Sequence, residues 1–175
     1  MQISRVVTGL LPDGHSGILT SAAVDPVSPA ALAGLEFFPL WATEGGASVA
    51  DDHQARPYWP SEGGTRFLAV TWLPEGSVDA PEGDPDELAA QAELAFPGLM
   101  GAFEADNPGF HTSDSIDYGV CLEGEMWLVL DDGHEARITP GTVVVQRGTR
   151  HAWQNRSDQL ATMLYVLVGG DRSRV

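Results

Sequence analysis

The chain has 175 residues, of which 43% are hydrophobic, and its formal net charge is −16. This length fits one domain with a substantial core, so we expect a single domain over residues 1–175. All nine basic residues are Arg, and none lies between Phe67 and Ala136, a span that holds 16 of the 25 acidic residues. Such a charge distribution repels nucleic-acid phosphates and anionic membranes, and neither is expected as a partner.

The single cysteine, Cys121, lies in an apolar run, so no disulfide framework is expected. The first residues contain no long apolar segment of the kind found in a signal peptide. No run approaches the roughly 18 apolar residues that span a membrane. These features predict a cytoplasmic protein.

Four apolar runs in the first part of the chain predict strands, at residues 2–9, 18–24, 36–43 and 65–73. Pro39 places the third run at a sheet edge or a bulge. Residues 45–64 are polar and rich in turn formers, which predicts a long loop in which His53 is a surface residue. We assign residues 1–75 to these strands and the loop. The first two strands are candidates for pairing across a homodimer.

Residues 76–109 contain the clearest helix signal, within an acidic insertion. Asp84 fits the N-cap, Pro85 fits the first helical position, and Glu87 completes a capping box. Apolar residues follow at helical spacing on one face: Leu88, Ala92, Ala95 and Phe96. This face predicts core packing, with a lid over a pocket as the alternative.

Residues 110–168 contain the segments that predict the central strands of the fold. Five apolar segments read YGVCL, EMWLVLD, EARIT, TVVVQ and LATMLYVLV, and short turns separate them. Gaps of two to four residues force antiparallel neighbours, and Asp132-Gly133 is a strong hairpin signal. Both faces of MWLVL are apolar, which indicates burial on both sides. The pattern predicts an all-β sandwich or barrel.

Two motifs in this region resemble those of the cupin superfamily, whose fold is a jelly-roll barrel, or double-stranded β-helix. His111 fits the first His of the first motif, Asp117 takes the place of its Glu, and Gly124 fits its closing Gly. The second motif has its counterparts in Gly141, Gly148, His151 and Asn155. The sequence pattern DYxxxLxGE…VVVQRGTxHAWxN is similar to that of a branch of small bacterial and fungal monocupins.

The sequence departs from the cupin pattern at two positions. Ser113 stands where the second His belongs, and Gln146 replaces a Pro, with one residue fewer after Gly141. The resemblance then implies a divalent metal (Fe, Zn, Mn or Ni) held by His111, Asp117 and His151. Two His and one carboxylate suit non-haem Fe(II) or catalytic Zn²⁺.

The alternative is a site that has lost its metal. Asp117 would then bond to backbone or to Arg147 or Arg150, and His151 with Asp117 would perform general acid–base catalysis. Candidate pocket residues are Ser113, Trp127, Trp153, Met163 and Tyr165, although core packing is an equal reading for the last four.

Two functions follow from these alternatives. The first is an enzyme acting on a small aromatic or polyketide-like molecule, including an acidic one, by oxygenase, decarboxylase, isomerase or cyclase chemistry, since the fold does not select a reaction. The second is a non-catalytic carrier or sensor of a small molecule.

Overall fold

The computed structural model describes residues 1–51 and 57–174, so His53 lies outside the described residues. Within this part of the chain, one α-helix, α1, spans Pro85–Ala95, and short 3-10 turns lie elsewhere. The strands are β1 (Ser4–Leu10), β2 (Ser16–Ala23), β3 (Leu35–Thr43), β4 (Thr65–Trp72), β5 (Ser115–Glu123), β6 (Met126–Val129), β7 (Glu135–Ile138), β8 (Val143–Arg147), β9 (Ala152–Gln154) and β10 (Ala161–Gly169).

The strands form two facing antiparallel sheets and a separate hairpin. The larger sheet has the order β3-β4-β10-β5-β8, and the smaller has the order β7-β6-β9. From β5 onward the chain passes between the sheets, with β5, β8 and β10 in the larger one and β6, β7 and β9 in the smaller one. This passage of the chain back and forth between two sheets is the jelly-roll architecture that the family resemblance implies.

The core lies between these sheets because strand side chains alternate between two faces. Met126 and Leu128 of β6 point inward, as do Met163 and Leu167 of β10, and all four are buried. They belong to one hydrophobic cluster that also contains Cys121. The buried face of the sequence run MWLVL is therefore the one that carries Met126 and Leu128.

Strand β3 is an edge strand of the larger sheet, as Pro39 predicts. Its register with β4 shifts between Pro39 and Trp41, where the proline has no amide hydrogen to donate. The edge position lets the sheet accept this residue without losing a central hydrogen bond.

Helix α1 begins as the sequence predicts. The Asp84 side chain accepts hydrogen bonds from the backbone amides of Asp86 and Glu87. Ala92 is fully buried, and Phe96 just after the helix joins the core cluster. Leu88 is half-buried and Ala95 is exposed, so part of the predicted apolar face packs on the core. No helix among the described residues is long and apolar enough to cross a membrane.

The N-terminal hairpin of β1 and β2 forms a two-stranded sheet of its own. Ile3 and Val24 at its base pack against Phe38 and Leu40 of β3, in a second small cluster. Leu10 near the tip of the hairpin is 77% exposed. Pairing of this hairpin across a homodimer stays a prediction.

Candidate functional site

A cavity of about 370 Å³ lies between the two sheets. Its described lining includes the acidic residues Glu75 and Asp117 but no arginine or lysine. Aromatic rings form much of the wall, from Tyr58, Trp59, Trp72, Phe103, Trp153 and Tyr165. Such a wall suits a small, uncharged and largely apolar ligand.

His111 and His151 meet at this cavity as a backbone pair. The amide of His111 donates to the carbonyl of His151 at 2.9 Å, and the amide of His151 donates back at 3.0 Å. Residues that exchange both hydrogen bonds across antiparallel segments place their side chains on the same face. The two imidazole ring centroids accordingly lie 4.2 Å apart.

Backbone carbonyls orient both imidazoles. Nδ1 of His111 lies 3.1 Å from the carbonyl oxygen of Gly109, and Nδ1 of His151 lies 2.9 Å from that of Thr149. Because a carbonyl oxygen only accepts, each Nδ1 carries the hydrogen, and each Nε2 keeps a free lone pair. This tautomer is the one required of a base or a metal ligand at Nε2.

Burial keeps both imidazoles neutral. It lowers the pKa of His111, and it lowers the pKa of His151 to about 4, with repulsion from the nearby His111 as a further cause. A charged imidazole loses hydration in this cavity, and a second positive ring beside it adds to the cost. Near neutral pH the pair therefore presents two unprotonated Nε2 atoms.

Asp117 lies on β5 and is buried on the cavity side. Its carboxylate accepts a hydrogen bond from the Ser115 hydroxyl at 2.6 Å, and the Ser113 hydroxyl lies 2.9 Å from that of Ser115. Burial raises the pKa of Asp117 to about 6, although the serine hydrogen bonds oppose the rise. The group can therefore hold or release a proton near neutral pH.

The described residues do not assemble the three-residue metal site that the sequence predicts. Across residues 1–51 and 57–174, no group of three or more His, Cys, Asp or Glu side chains is arranged to hold a metal ion. The negative charge of Asp117 raises the pKa values of Tyr58 and Tyr165, although burial is the larger cause for both. The geometry supplies His111 and His151 as two imidazole donors, and metal binding stays a prediction.

The predicted pocket residues fall into two groups. Trp153 and Tyr165 line the cavity. Ser113 is instead buried against Ser115, and Met163 is fully buried in the core cluster. Neither is among the residues that line the cavity, and for Met163 the core-packing reading fits its burial, because strand alternation gives the face of a residue but not its depth in the barrel.

Trp127 also lies away from the cavity wall. Its indole Nε1 donates to Glu125 at 3.1 Å, and the Arg156 guanidinium lies 4.8 Å from its ring centroid. Trp127 is on the face of β6 opposite to Met126 and Leu128, so it packs under charged side chains on the outside.

Arg150 does not pair with Asp117, which was one reading of a metal-free site. Its guanidinium bonds to Glu104 at 2.6 and 2.7 Å and to Asp131 at 2.8 Å. It also lies 3.9 Å from the ring centroid of Phe110. These contacts tie the segment before His111 to the residue before His151, and so support the imidazole pair from outside.

Two neighbouring aromatic residues, Tyr58 and Trp59, form one side of the cavity, which we call its roof. The Tyr58 amide donates to the Pro97 carbonyl at 2.9 Å, and Trp59 Nε1 donates to the Gly98 carbonyl at 3.0 Å. The Trp59 ring lies 5.7 Å from that of His111. These bonds join the roof to the chain just after α1.

Sequence reasoning missed two further wall residues, Trp72 and Phe103. The Phe103 ring lies 5.0 Å from that of His111, and Trp72 lies 6.4 Å from Trp153. The alternation Leu68, Val70, Trp72 in β4 was the available signal for Trp72. Phe103 lies outside a regular strand and offered no periodic signal.

Parts of the chain are similar in sequence to curated fungal proteins. No protein-family model matches the chain. The chain is 49% identical over 61 residues to the cupin-domain-containing oxidoreductase fogC of Aspergillus ruber, covering 33% of this chain and 30% of that protein. It is 39% identical over 100 residues to the cupin-domain-containing oxidoreductase srdB of Neurospora crassa, covering 49% and 51%.

A third relative is phomopsin biosynthesis cluster protein C' of Diaporthe leptostromiformis, which is 57% identical over 47 residues, 27% of this chain and 25% of that protein. The chain thus spans about a quarter to a half of the length of these curated relatives. The two-sheet topology and the paired histidines at an apolar cavity define a jelly-roll barrel of the cupin type. Over the matched residues the chain is similar to cupin-domain-containing oxidoreductases.

Proposed function

We propose that this cupin is an enzyme that moves protons on a small, uncharged organic compound held in the barrel cavity. The observation that carries the proposal is the pair of neutral imidazoles, His111 and His151, at one aromatic cavity with the buried carboxyl of Asp117. The relatives named as oxidoreductases support an enzyme over a carrier.

The cavity chemistry supports a neutral ligand. The described lining includes two acidic residues, Glu75 and Asp117, and no arginine or lysine offsets their charge there. An anionic substrate would therefore meet repulsion without a fixed cation. A volume of about 370 Å³ with aromatic walls fits a molecule of one or two rings.

The proposed step is proton abstraction next to a carbonyl group. Nε2 of His151 takes the proton from the carbon, the C–H electron pair forms the C=C bond of an enolate, and the π pair of the carbonyl group moves to its oxygen. The imidazolium or the Asp117 carboxyl then returns a proton at the same or another atom. Substrate and product differ only in the positions of a hydrogen and a double bond, so no oxidant is needed. Isomerase and cyclase chemistry both begin in this way.

The test is exchange of the α-hydrogens of 2-tetralone, a bicyclic ketone, in D₂O. We expect the protein to accelerate deuterium incorporation above the buffer rate, because an oriented base contributes about 100-fold or more. Mass spectrometry of the recovered ketone measures the rate. A rate equal to buffer, with 2-tetralone bound, would favour the alternative of a non-catalytic binding protein, which Ser113 in place of the motif histidine supports.

Metal binding is a separate proposal, and the structure sharpens its test. The residues present fit two imidazole ligands, each with Nδ1–H fixed by a backbone carbonyl as metal-bound histidines usually are. Because no group of three or more His, Cys, Asp or Glu among the described residues is arranged to hold a metal ion, we propose that Asp117 is not a ligand. We expect any iron, zinc, manganese or nickel that copurifies to be lost in His111→Ala and His151→Ala but kept in Asp117→Asn.

Elemental analysis of protein without a histidine tag measures this difference. His134→Ala is the control, because His134 lies exposed in the turn between β6 and β7. Loss of metal from Asp117→Asn as well would restore the three-ligand site that the sequence predicts. Retention in both histidine variants would remove the imidazole pair as the metal site.

A further inference from the structure

The hydroxyl of Tyr165 is unusual among the described residues. It is the one buried side-chain nitrogen or oxygen atom in that part of the chain without a hydrogen-bond partner. Tyr165 is 8% exposed and lines the cavity. Buried phenol groups normally find a partner, because an unpaired one loses its hydrogen bonds to water without replacement.

Packing rather than hydrogen bonding holds this ring in place. Gly119 of β5 lies directly across from Tyr165 in the sheet, and a Cβ there would come within 2.9 Å of the tyrosine ring. The rings of Trp72 and Trp153 meet it edge-on, with centroids at 6.2 and 5.8 Å. The missing side chain of Gly119 thus creates the space that fixes the phenol at the cavity.

The hydroxyl is available as a donor. Burial raises the pKa of Tyr165 well above its ordinary value, and the charges of Tyr58 and Asp117 raise it further. The phenol therefore keeps its hydrogen near neutral pH. A donor held rigid in a dry, apolar wall is worth more to an acceptor than the same donor in water.

We propose that the Tyr165 hydroxyl donates a hydrogen bond to an uncharged oxygen of the ligand, and so selects ring ketones over hydrocarbons of the same shape. This inference rests on the proposed function only in taking the cavity as the ligand site, and it requires no turnover. A site built to hydrogen-bond an oxygen rejects the analogue that lacks it, because its own polar group is then left unpaired.

The test compares the binding of 2-tetralone with that of tetralin, the hydrocarbon of the same shape. Quenching of tryptophan fluorescence reports both, since Trp59, Trp72 and Trp153 line the cavity. We expect the wild-type protein to prefer the ketone by about tenfold. Tyr165→Phe should lose this preference and bind tetralin as the wild type does. The control Tyr118→Phe alters a 49% exposed tyrosine on the neighbouring strand and should keep it.

Two further measurements make the result decisive. The melting temperature of ligand-free Tyr165→Phe should equal or exceed that of the wild type, because the change removes an unpaired hydroxyl. Gly119→Ala keeps the hydroxyl but displaces the ring, and should also weaken the ketone preference.

A wild-type protein without that preference, including one that binds neither compound, or a Tyr165→Phe variant that retains it, would overturn the proposal. Ketone preference without α-hydrogen exchange would contradict the catalytic proposal and leave the binding role of Tyr165 intact.

Discussion

Replacing His151 by Gln is expected to slow the exchange of 2-tetralone α-hydrogens by about 100-fold or more. Gln keeps a polar side chain of similar length but has no basic nitrogen. In the wild type, the Thr149 carbonyl fixes the Nδ1–H of His151, which leaves Nε2 free to accept a proton. The low pKa of His151, about 4, keeps that nitrogen unprotonated at neutral pH. Deuterium incorporation at pH 7, followed by mass spectrometry, measures the loss.

The matched control is His134→Gln, which makes the same chemical change at an exposed turn. We expect this variant to exchange 2-tetralone at the wild-type rate. Circular dichroism and tetralin binding would show that His151→Gln keeps the folded cavity. An unchanged exchange rate in His151→Gln with the cavity intact would assign the base to another group and remove His151 from the mechanism.

The Gly124→Ala variant is expected to lose roughly 3 kcal/mol or more of its free energy of unfolding. Gly124 joins β5 to β6 with φ of +75°, a conformation that costs an L side chain about 1–2 kcal/mol. A Cβ at this position would also lie 2.2 Å from the Leu160 carbonyl oxygen and 2.6 Å from the Ala161 Cα. These are backbone atoms, so relief requires a shift of the chain before β10. Urea unfolding monitored by tryptophan fluorescence measures the difference.

Gly133→Ala separates the two causes. Gly133 has φ of +73°, close to that of Gly124, but a Cβ there would meet nothing within 4 Å. We expect this variant to lose only about 1–2 kcal/mol, the conformational cost alone. Equal losses in the two variants would mean that the close approach to Leu160 contributes nothing.

Much of the fold was predictable because local signals and the global architecture agree. Pro39 marked an edge strand, and β3 is an edge strand. Asp84 and Pro85 marked the start of α1, and the helix begins there. Asp132 and Gly133 both have positive φ, as the hairpin turn they predict requires. In each case a short-range steric or hydrogen-bonding rule decides the structure, so neighbouring residues were enough.

The candidate site was less predictable because its geometry depends on depth and on partners from distant strands. The alternation in MWLVL showed two apolar faces but did not show that Trp127 faces outward under Arg156. The motif spacing grouped Asp117 with the histidines, and all three line the cavity, but the spacing did not show that the Asp117 carboxylate accepts a hydrogen bond from Ser115. A serine hydroxyl two residues away competes for the same carboxylate, and the sequence pattern carries no measure of which partner wins.

The reciprocal backbone hydrogen bonds between His111 and His151 join two chain segments that are far apart in sequence, and the site exists only while these segments stay paired. His111 lies outside the named strands and meets His151 through an isolated bridge at the margin of the smaller sheet. Fraying of a few residues at this margin would separate the imidazoles while both sheets stay folded. Activity should therefore be more fragile than the fold, and a sample with intact secondary structure can still have lost its site.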